Sequence, residues 1–215
     1  MFVPATPATP APALAPVDVA AVAPAVFPTP AHTSLKIRHE QLNVLAGHPG
    51  SITGTLLEEH RPARAGRLVS LQVLVRRGWH TMALAHTGTR GRFRFSFRPQ
   101  RLGSRTLRLR FQGDSTARSA RRRAGRMNVY RLAGASWYGG GGGLACGGEL
   151  TSSTLGVANK TLPCGTLVTL HYGDRTVRVP VVDRGPYVAG RDFDLTEATK
   201  RALGFGDTGD VWSTD

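Results

Sequence analysis

Alternation of apolar and polar positions is the strongest pattern in the chain. Phe93, Phe95 and Phe97 interleave with Arg92, Arg94, Ser96 and Arg98. Leu107, Leu109 and Phe111 interleave with Arg108 and Arg110, and Leu71, Val73 and Val75 repeat the pattern. A period of two buries one face of a strand and leaves the other in water. Residues 35–44, 51–57, 79–85 and 127–132 read as further strands. His48-Pro49-Gly50 and Gln112-Gly113-Asp114 supply turns between them. About seven short antiparallel strands in about 100 residues predict an immunoglobulin-like β-sandwich over 34–131.

Beyond residue 132 the pattern changes. Strands at 166–172 and 175–182 are joined by Gly173-Asp174, a two-residue hairpin signal. One short helix should follow. Asp194 serves as its expected N-cap, with Glu197 three residues on as a capping box. Ala198, Ala202 and Leu203 give it an apolar face, and Gly204 ends it. The fold class is therefore all-β with one short helix, and 133–215 forms a second unit. Residues 1–33 are rich in Pro, Ala and Thr and read as a disordered linker or remnant leader.

Charge separates the two units. The chain has 28 Lys plus Arg against 14 Asp plus Glu, a net +14. Residues 35–131 hold 21 of these bases and 4 acids, whereas 132–215 hold 7 bases and 9 acids. Arg supplies 25 of the 28 bases, which high-GC coding and anion binding explain equally well. Such a charge suggests nucleic acid. Its confinement to one segment, and the lack of aromatic residues interleaved on the polar strand faces, argue against that partner. Cys146 and Cys164 each flank a tight turn. They are two free thiols or one disulfide, and the disulfide is favoured. It would contribute about 3 kcal/mol and imply an oxidising, exported location. No His stands near either Cys at ligand spacing, so no zinc, other metal or cofactor is expected. No complete signal peptide is visible, because the first base is Lys36 and prolines break the apolar stretch 17–27.

The residues with the clearest chemistry are Val181-Val182-Asp183-Arg184-Gly185-Pro186-Tyr187. An apolar run carries one carboxylate to the mouth of a turn. An Asp there is costly unless it is paired or used. Arg191, Asp192 and Asp194 follow closely.

This motif, with Ala135-Ser136-Trp137-Tyr138-Gly139, Leu162-Pro163-Cys164-Gly165-Thr166, Arg191, Phe193-Asp194-Leu195 and Ala202-Leu203-Gly204, resembles the RlpA-like (rare lipoprotein A) double-psi β-barrel family. The likeness is greatest to its exported actinobacterial branch, which carries the Cys pair. Residues 34–131 look like the Ig-like modules of exported actinobacterial proteins. The resemblance implies a six-stranded barrel with a polysaccharide groove. It also implies endolytic lytic transglycosylation of peptidoglycan glycan strands, cleaving MurNAc–GlcNAc bonds to 1,6-anhydroMurNAc ends. Asp183 would be the acid/base, and Glu149 a weaker second candidate. Expansins and barwin-type proteins share the barrel and are largely non-hydrolytic, so a non-catalytic wall-polysaccharide binder is the alternative.

Asn159 stands where the family usually has His. Asn can orient a sugar but cannot shuttle a proton. Trp137, Tyr138 and Tyr187 are sugar-stacking candidates. Arg184 would contact glycan or hold the turn. Arg191 is a substrate-contact candidate that should also pair with Asp194 to brace the Asp183 turn. His171 reads as a strand-face residue. The expected partner is peptidoglycan, with anionic wall polymers as a second partner through the Arg-rich segment. No nucleic acid is expected, and the chain should be a monomer.

Overall fold

The computed structural model describes residues 29–215. Residues 1–28 of the expected leader lie outside them. The remainder of that leader is not free: Ala31 bridges Ala117, and Thr33 is already buried in the first strand. The ordered chain thus starts before the expected boundary at residue 33.

Nine strands follow in order: β1 (Thr33–Gln41), β2 (Asn43–Leu45), β3 (Gly50–Glu58), β4 (Arg61–Pro62), β5 (Leu68–Val75), β6 (Gly78–His86), β7 (Arg92–Phe97), β8 (Gly103–Phe111) and β9 (Ala120–Tyr138). Then come β10 (Val157–Ala158), β11 (Leu167–Tyr172), β12 (Arg175–Asp183), β13 (Phe193–Thr196), helix α1 (Glu197–Leu203) and β14 (Thr208–Ser213).

The alternating residues behave as their period requires. Phe93 and Phe95 of β7 meet Ile52 and Leu56 of β3 on one side. Val69 and Leu71 of β5, with Leu107, Leu109 and Phe111 of β8, close over them from the other. These belong to separate sheets. One runs β1-β3-β4 with β7 on β3, and the other contains β6-β5-β8-β9 with β2 on β9. Each fully buried Leu or Phe contributes about 1.5–3 kcal/mol.

The second core forms inside a ring. β13 pairs with β10 and also with β9, so β9-β14-β11-β12-β10-β13 returns on itself in six strands. β10–β12 and β13–β9 are parallel, and β11–β12, β11–β14 and β14–β9 are antiparallel. Val168, Leu170, Val179, Val181, Phe193 and Leu195 fill the interior. Tyr172 pairs with Arg175 across Gly173-Asp174, the tight hairpin that the sequence signals. Helix α1 packs against the ring and ends at Gly204, which takes a left-handed φ of 65°. Its N-cap is Thr196, not Asp194: the Thr196 side chain accepts from the Thr199 amide. Asp194 is instead a residue of β13, held between β9 and β10.

The largest departure is β9. The pattern suggests a strand over 127–132, but β9 is 19 residues long and passes through the expected boundary at 132 without a break. Arg121-Arg122-Arg123 hides the alternation at its start. Gly125 absorbs a register shift there with φ 92°, a bulge conformation. Gly134 allows the Gly190 carbonyl to approach so closely that a Cβ would lie 2.4 Å from it.

At the junction of the two cores, Tyr130 is fully buried and its hydroxyl donates to Asn43 Oδ1 at 3.1 Å. His171 stacks on it at 5.7 Å, and Trp212 lies 5.8 Å away. Desolvation lowers the His171 pKa, in keeping with a structural strand-face residue. Burial pushes the Tyr130 phenol from 10.0 up to about 12. A raised acid contributes stability that is complete below its unfolded pKa and is lost as pH climbs toward the folded value. Chemical unfolding should therefore show stability falling between pH 10 and about 12, at a rate of at most about 1.4 kcal/mol per pH unit from this group. Tyr130→Phe should flatten that fall, and an identical alkaline slope in the variant would refute the assignment.

Candidate active site

β12 carries its apolar side chains inward at Val179 and Val181, and the same period of two brings Asp183 to the mouth of the barrel. There the chain turns through Gly185, at φ 127°, and buried Pro186. Asp183 is half-buried and oriented from one side only. Its Oδ1 accepts from its neighbour Arg184 N at 2.8 Å and from Ala145 N at 2.9 Å. No partner for Oδ2 exists among the described residues, and Oδ2 is not sealed from solvent. The Asp183 carbonyl accepts from Asn159 N at 3.1 Å, which ties the turn to β10.

Tyr138, the last residue of β9, is the other group with an open valence. Its hydroxyl is buried and has no hydrogen-bond partner among the described residues. Burial, followed by the charges of Asp183 and Asp194, drives its pKa upward. The phenol therefore keeps its proton beside Asp183. Asp194 itself is occupied, accepting from the Ser136 hydroxyl across the β9–β13 pair.

The residues around Asp183 divide into braces and rim. Asn159, expected to orient a sugar, is a brace. It is 6% exposed. Its Oδ1 accepts from Thr161 N and Leu162 N at 3.0 and 2.8 Å, and its Nδ2 donates to the Asp192 carbonyl at 3.0 Å. Both acceptor positions of Oδ1 and one N–H of Nδ2 are used by backbone, and an imidazole could not accept two amides while donating to a third group in this geometry. Arg184 is also a brace. Its guanidinium donates to the Asn159 and Leu162 carbonyls at 3.0 and 2.8 Å and to Cys164 Sγ at 3.0 Å. Cys146 and Cys164 are joined in a disulfide that pins the 143–149 loop, source of the Ala145 amide, to the 159–164 loop.

The expected Arg191–Asp194 pair does not form, because Ser136 takes Asp194 and Arg191 makes no ion pair among the described residues. The ion pair that forms instead leaves no sign in the local spacing. Arg131 reaches Asp192 at 3.2 Å and Asp215 at 3.5 Å. Asp192 Oδ2 also accepts from Gly134 N at 3.0 Å. These partners lie 58 to 84 residues apart, and no local spacing could reveal them.

The rim is open. Tyr187 is 83% exposed directly after the turn. Glu149 is exposed at the end of the glycine loop, opposite Gly143, and its carboxylate has no ion pair among the described residues. Trp137 is partly exposed, but its ring is not bare. Lys200 Nζ sits 3.8 Å over it, and its indole N–H donates to Asp207 at 2.9 Å. Lys200 reaches the same carboxylate at 2.8 Å, and that hydrogen bond, with the one from Trp137, lowers the Asp207 pKa. A sugar could stack only on the uncovered face.

If Asn159 is a brace, Asn159→Ala should strand two partly buried amides and cost about 1–3 kcal/mol in urea unfolding. An unchanged midpoint would mean that the amide serves the rim instead.

The barrel segment has recognisable relatives. A family model described as "Lytic transglycolase" matches residues 132–211. The "Probable endolytic peptidoglycan transglycosylase RlpA" of Aquifex aeolicus (strain VF5) is 44% identical over 75 residues, 33% of this chain and 33% of that protein. The protein of the same name from Synechocystis sp. (strain ATCC 27184 / PCC 6803 / Kazusa) is 40% identical over 80 residues, 35% of this chain and 25% of that protein. The matched region thus spans a third or less of these relatives. Among solved structures, the Streptomyces papain inhibitor is 24% identical with a TM-score of 0.34, covering 40% of this chain and 92% of that one. The family model and the two curated relatives, with the closed six-strand ring, make the C-terminal unit similar to the RlpA-like double-psi β-barrels.

Proposed function

We propose that the barrel is the catalytic unit of a peptidoglycan lytic transglycosylase, with Asp183 as its acid/base. The observation that carries this reading is the asymmetry of Asp183. Two backbone amides fix Oδ1, while Oδ2 makes no hydrogen bond among the described residues and is not sealed from solvent. One oriented, accessible carboxyl is what the reaction needs. Protonated Oδ2 gives its proton to the bridging glycosidic oxygen as the bond from MurNAc C1 to that oxygen breaks. The MurNAc C6 hydroxyl then closes on C1 and returns its proton to the carboxylate. The acid is regenerated and no water is consumed, so no second carboxylate is required.

Tyr138 is the positioning residue in this scheme, its protonated phenol lying beside the Asp183 carboxylate. Tyr187 and the free face of Trp137 offer sugar surface at the rim. Glu149 lies on the loop that supplies the Ala145 amide and has a lesser part. The disulfide supports an exported, oxidising setting. In this reading residues 34–131 are an Ig-like accessory module. A non-catalytic glycan binder is the second reading. It is favoured by the backbone contacts that hold the Asn159 amide and by the stacking of His171, the barrel's single imidazole, on Tyr130 at the junction of the cores.

Purified glycan strands digested with the full chain should yield 1,6-anhydroMurNAc ends by mass spectrometry. Asp183→Asn, which keeps the Oδ1 acceptor, should lower their rate about 100-fold or more, and Glu149→Gln should lower it less. Tyr138→Phe should lower it about 10–100-fold with the fold intact. Retained pull-down on insoluble peptidoglycan with no anhydro ends from the native chain would replace the enzyme by the binder.

A further inference from the structure

A second feature of the molecule lies far from Asp183 in sequence and has no part in that chemistry. The outward face of β5, β8 and β9 concentrates arginine. Arg108 stands opposite Arg123 and Arg110 opposite Arg121 in the β8–β9 ladder. Like charges placed directly across a ladder are destabilising. Here no acid relieves them, and none of Arg108, Arg110, Arg121, Arg122 or Arg123 forms an ion pair among the described residues. The acids of this half are placed elsewhere. Glu58 and Asp114 both bind Arg67, Glu59 accepts from the His32 amide, and Glu40 is on β1 in the other sheet.

Three further details mark a built surface. Arg110 Nε is buried without any hydrogen-bond partner. Arg108 is locked in place, with its guanidinium 4.1 Å over the Trp79 ring and its Nε donating to Gln72 Oε1 at 2.8 Å. A cleft of about 310 Å³ opens between Trp79, Leu74, Arg108 and the Arg121–Arg123 run. Desolvation, then the charges of Arg121 and Arg110, push the Arg108 pKa down, consistent with crowded cations.

Adjacent strands are about 5 Å apart, and alternate residues on one strand about 7 Å apart. The four paired guanidiniums carry more positive charge than one phosphate neutralises, which suits several anions joined in a chain. Trp79 does stand at this face, where the sequence suggested no aromatic, but Arg108 covers its ring. Only one face of that ring is left for a nucleic-acid base, whereas a polyol backbone needs none. We propose that the outward face of β5, β8 and β9 binds a non-aromatic phosphodiester polyanion of the poly(glycerol phosphate) type, held by Arg108, Arg110, Arg121 and Arg123. The opposite sheet provides an internal control, because Arg92 and Arg94 of β7 are equally exposed but face away from this cleft.

The test uses the full chain and fluorescently labelled poly(glycerol phosphate), with affinity measured by anisotropy across a salt series. The exposed pair Arg121→Gln/Arg123→Gln should weaken binding about tenfold at low salt and reduce the slope of log K against log salt by about 1.5. Arg92→Gln/Arg94→Gln should change neither. Equal losses from both pairs would reduce the site to diffuse attraction and overturn it, as would full affinity in the first variant. Tighter binding of a single-stranded oligonucleotide with the same number of phosphates would overturn the choice of ligand. Glycan cleavage by the Arg121→Gln/Arg123→Gln variant should be unchanged, so this site and the Asp183 reading stand or fall separately.

Discussion

The backbone ladder of β9 is the constraint from which both halves of the molecule follow. One strand hydrogen-bonds to β8 and β2 over its first part and to β14 and β13 over its last. Ala124, Met127 and Val129 feed the sandwich core, and Ala133 and Ala135 feed the barrel core. The two cores are thus successive stretches of one alternation. The chain needs glycine at two places to do this. Gly125 takes up an extra residue, and Gly134 makes room for the Gly190 backbone.

The neighbourhood of Asp183 is built by satisfying almost every polar group except those at the centre. Asn159, Arg184 and the disulfide use up the carbonyls and amides of the 159–164 loop, and Ser136 uses up Asp194. A buried donor or acceptor left unpaired is expensive. Leaving the Tyr138 hydroxyl unpartnered beside a half-free carboxylate therefore stands out against such thorough pairing. The fold tolerates that arrangement because the surrounding loops are held independently of it.

Elements dictated by local rules were legible in the sequence. The Phe93-Phe95-Phe97 and Leu107-Leu109-Phe111 alternations, the Gly173-Asp174 hairpin and the Gly204 stop each depend on a few adjacent residues, and each is found where its pattern lies. The Asp183 motif likewise revealed its own place. What the sequence hid was nonlocal. Thr196 displaced Asp194 as N-cap because β13 runs two residues further than the charge pattern implies. Arg191 looked like Asp194's partner by proximity, yet the nearer hydroxyl in space is Ser136, 58 residues away. Asn159 read as a functional substitution because its backbone contacts, to Thr161, Leu162 and Asp192, exist only after the loop has closed.

The unbroken course of β9 also sets a length. From Arg121 to Tyr138 is 17 steps along one strand, about 50 Å of backbone after allowance for coiling. A flexible linker would let the two ends sample a cloud of separations. A strand held in one ladder or another along its length permits only limited bending, so the arginine face and the carboxylate rim are held like the two jaws of a caliper. A chain of this design that grips one polymer can act on a neighbouring one only at a fixed offset.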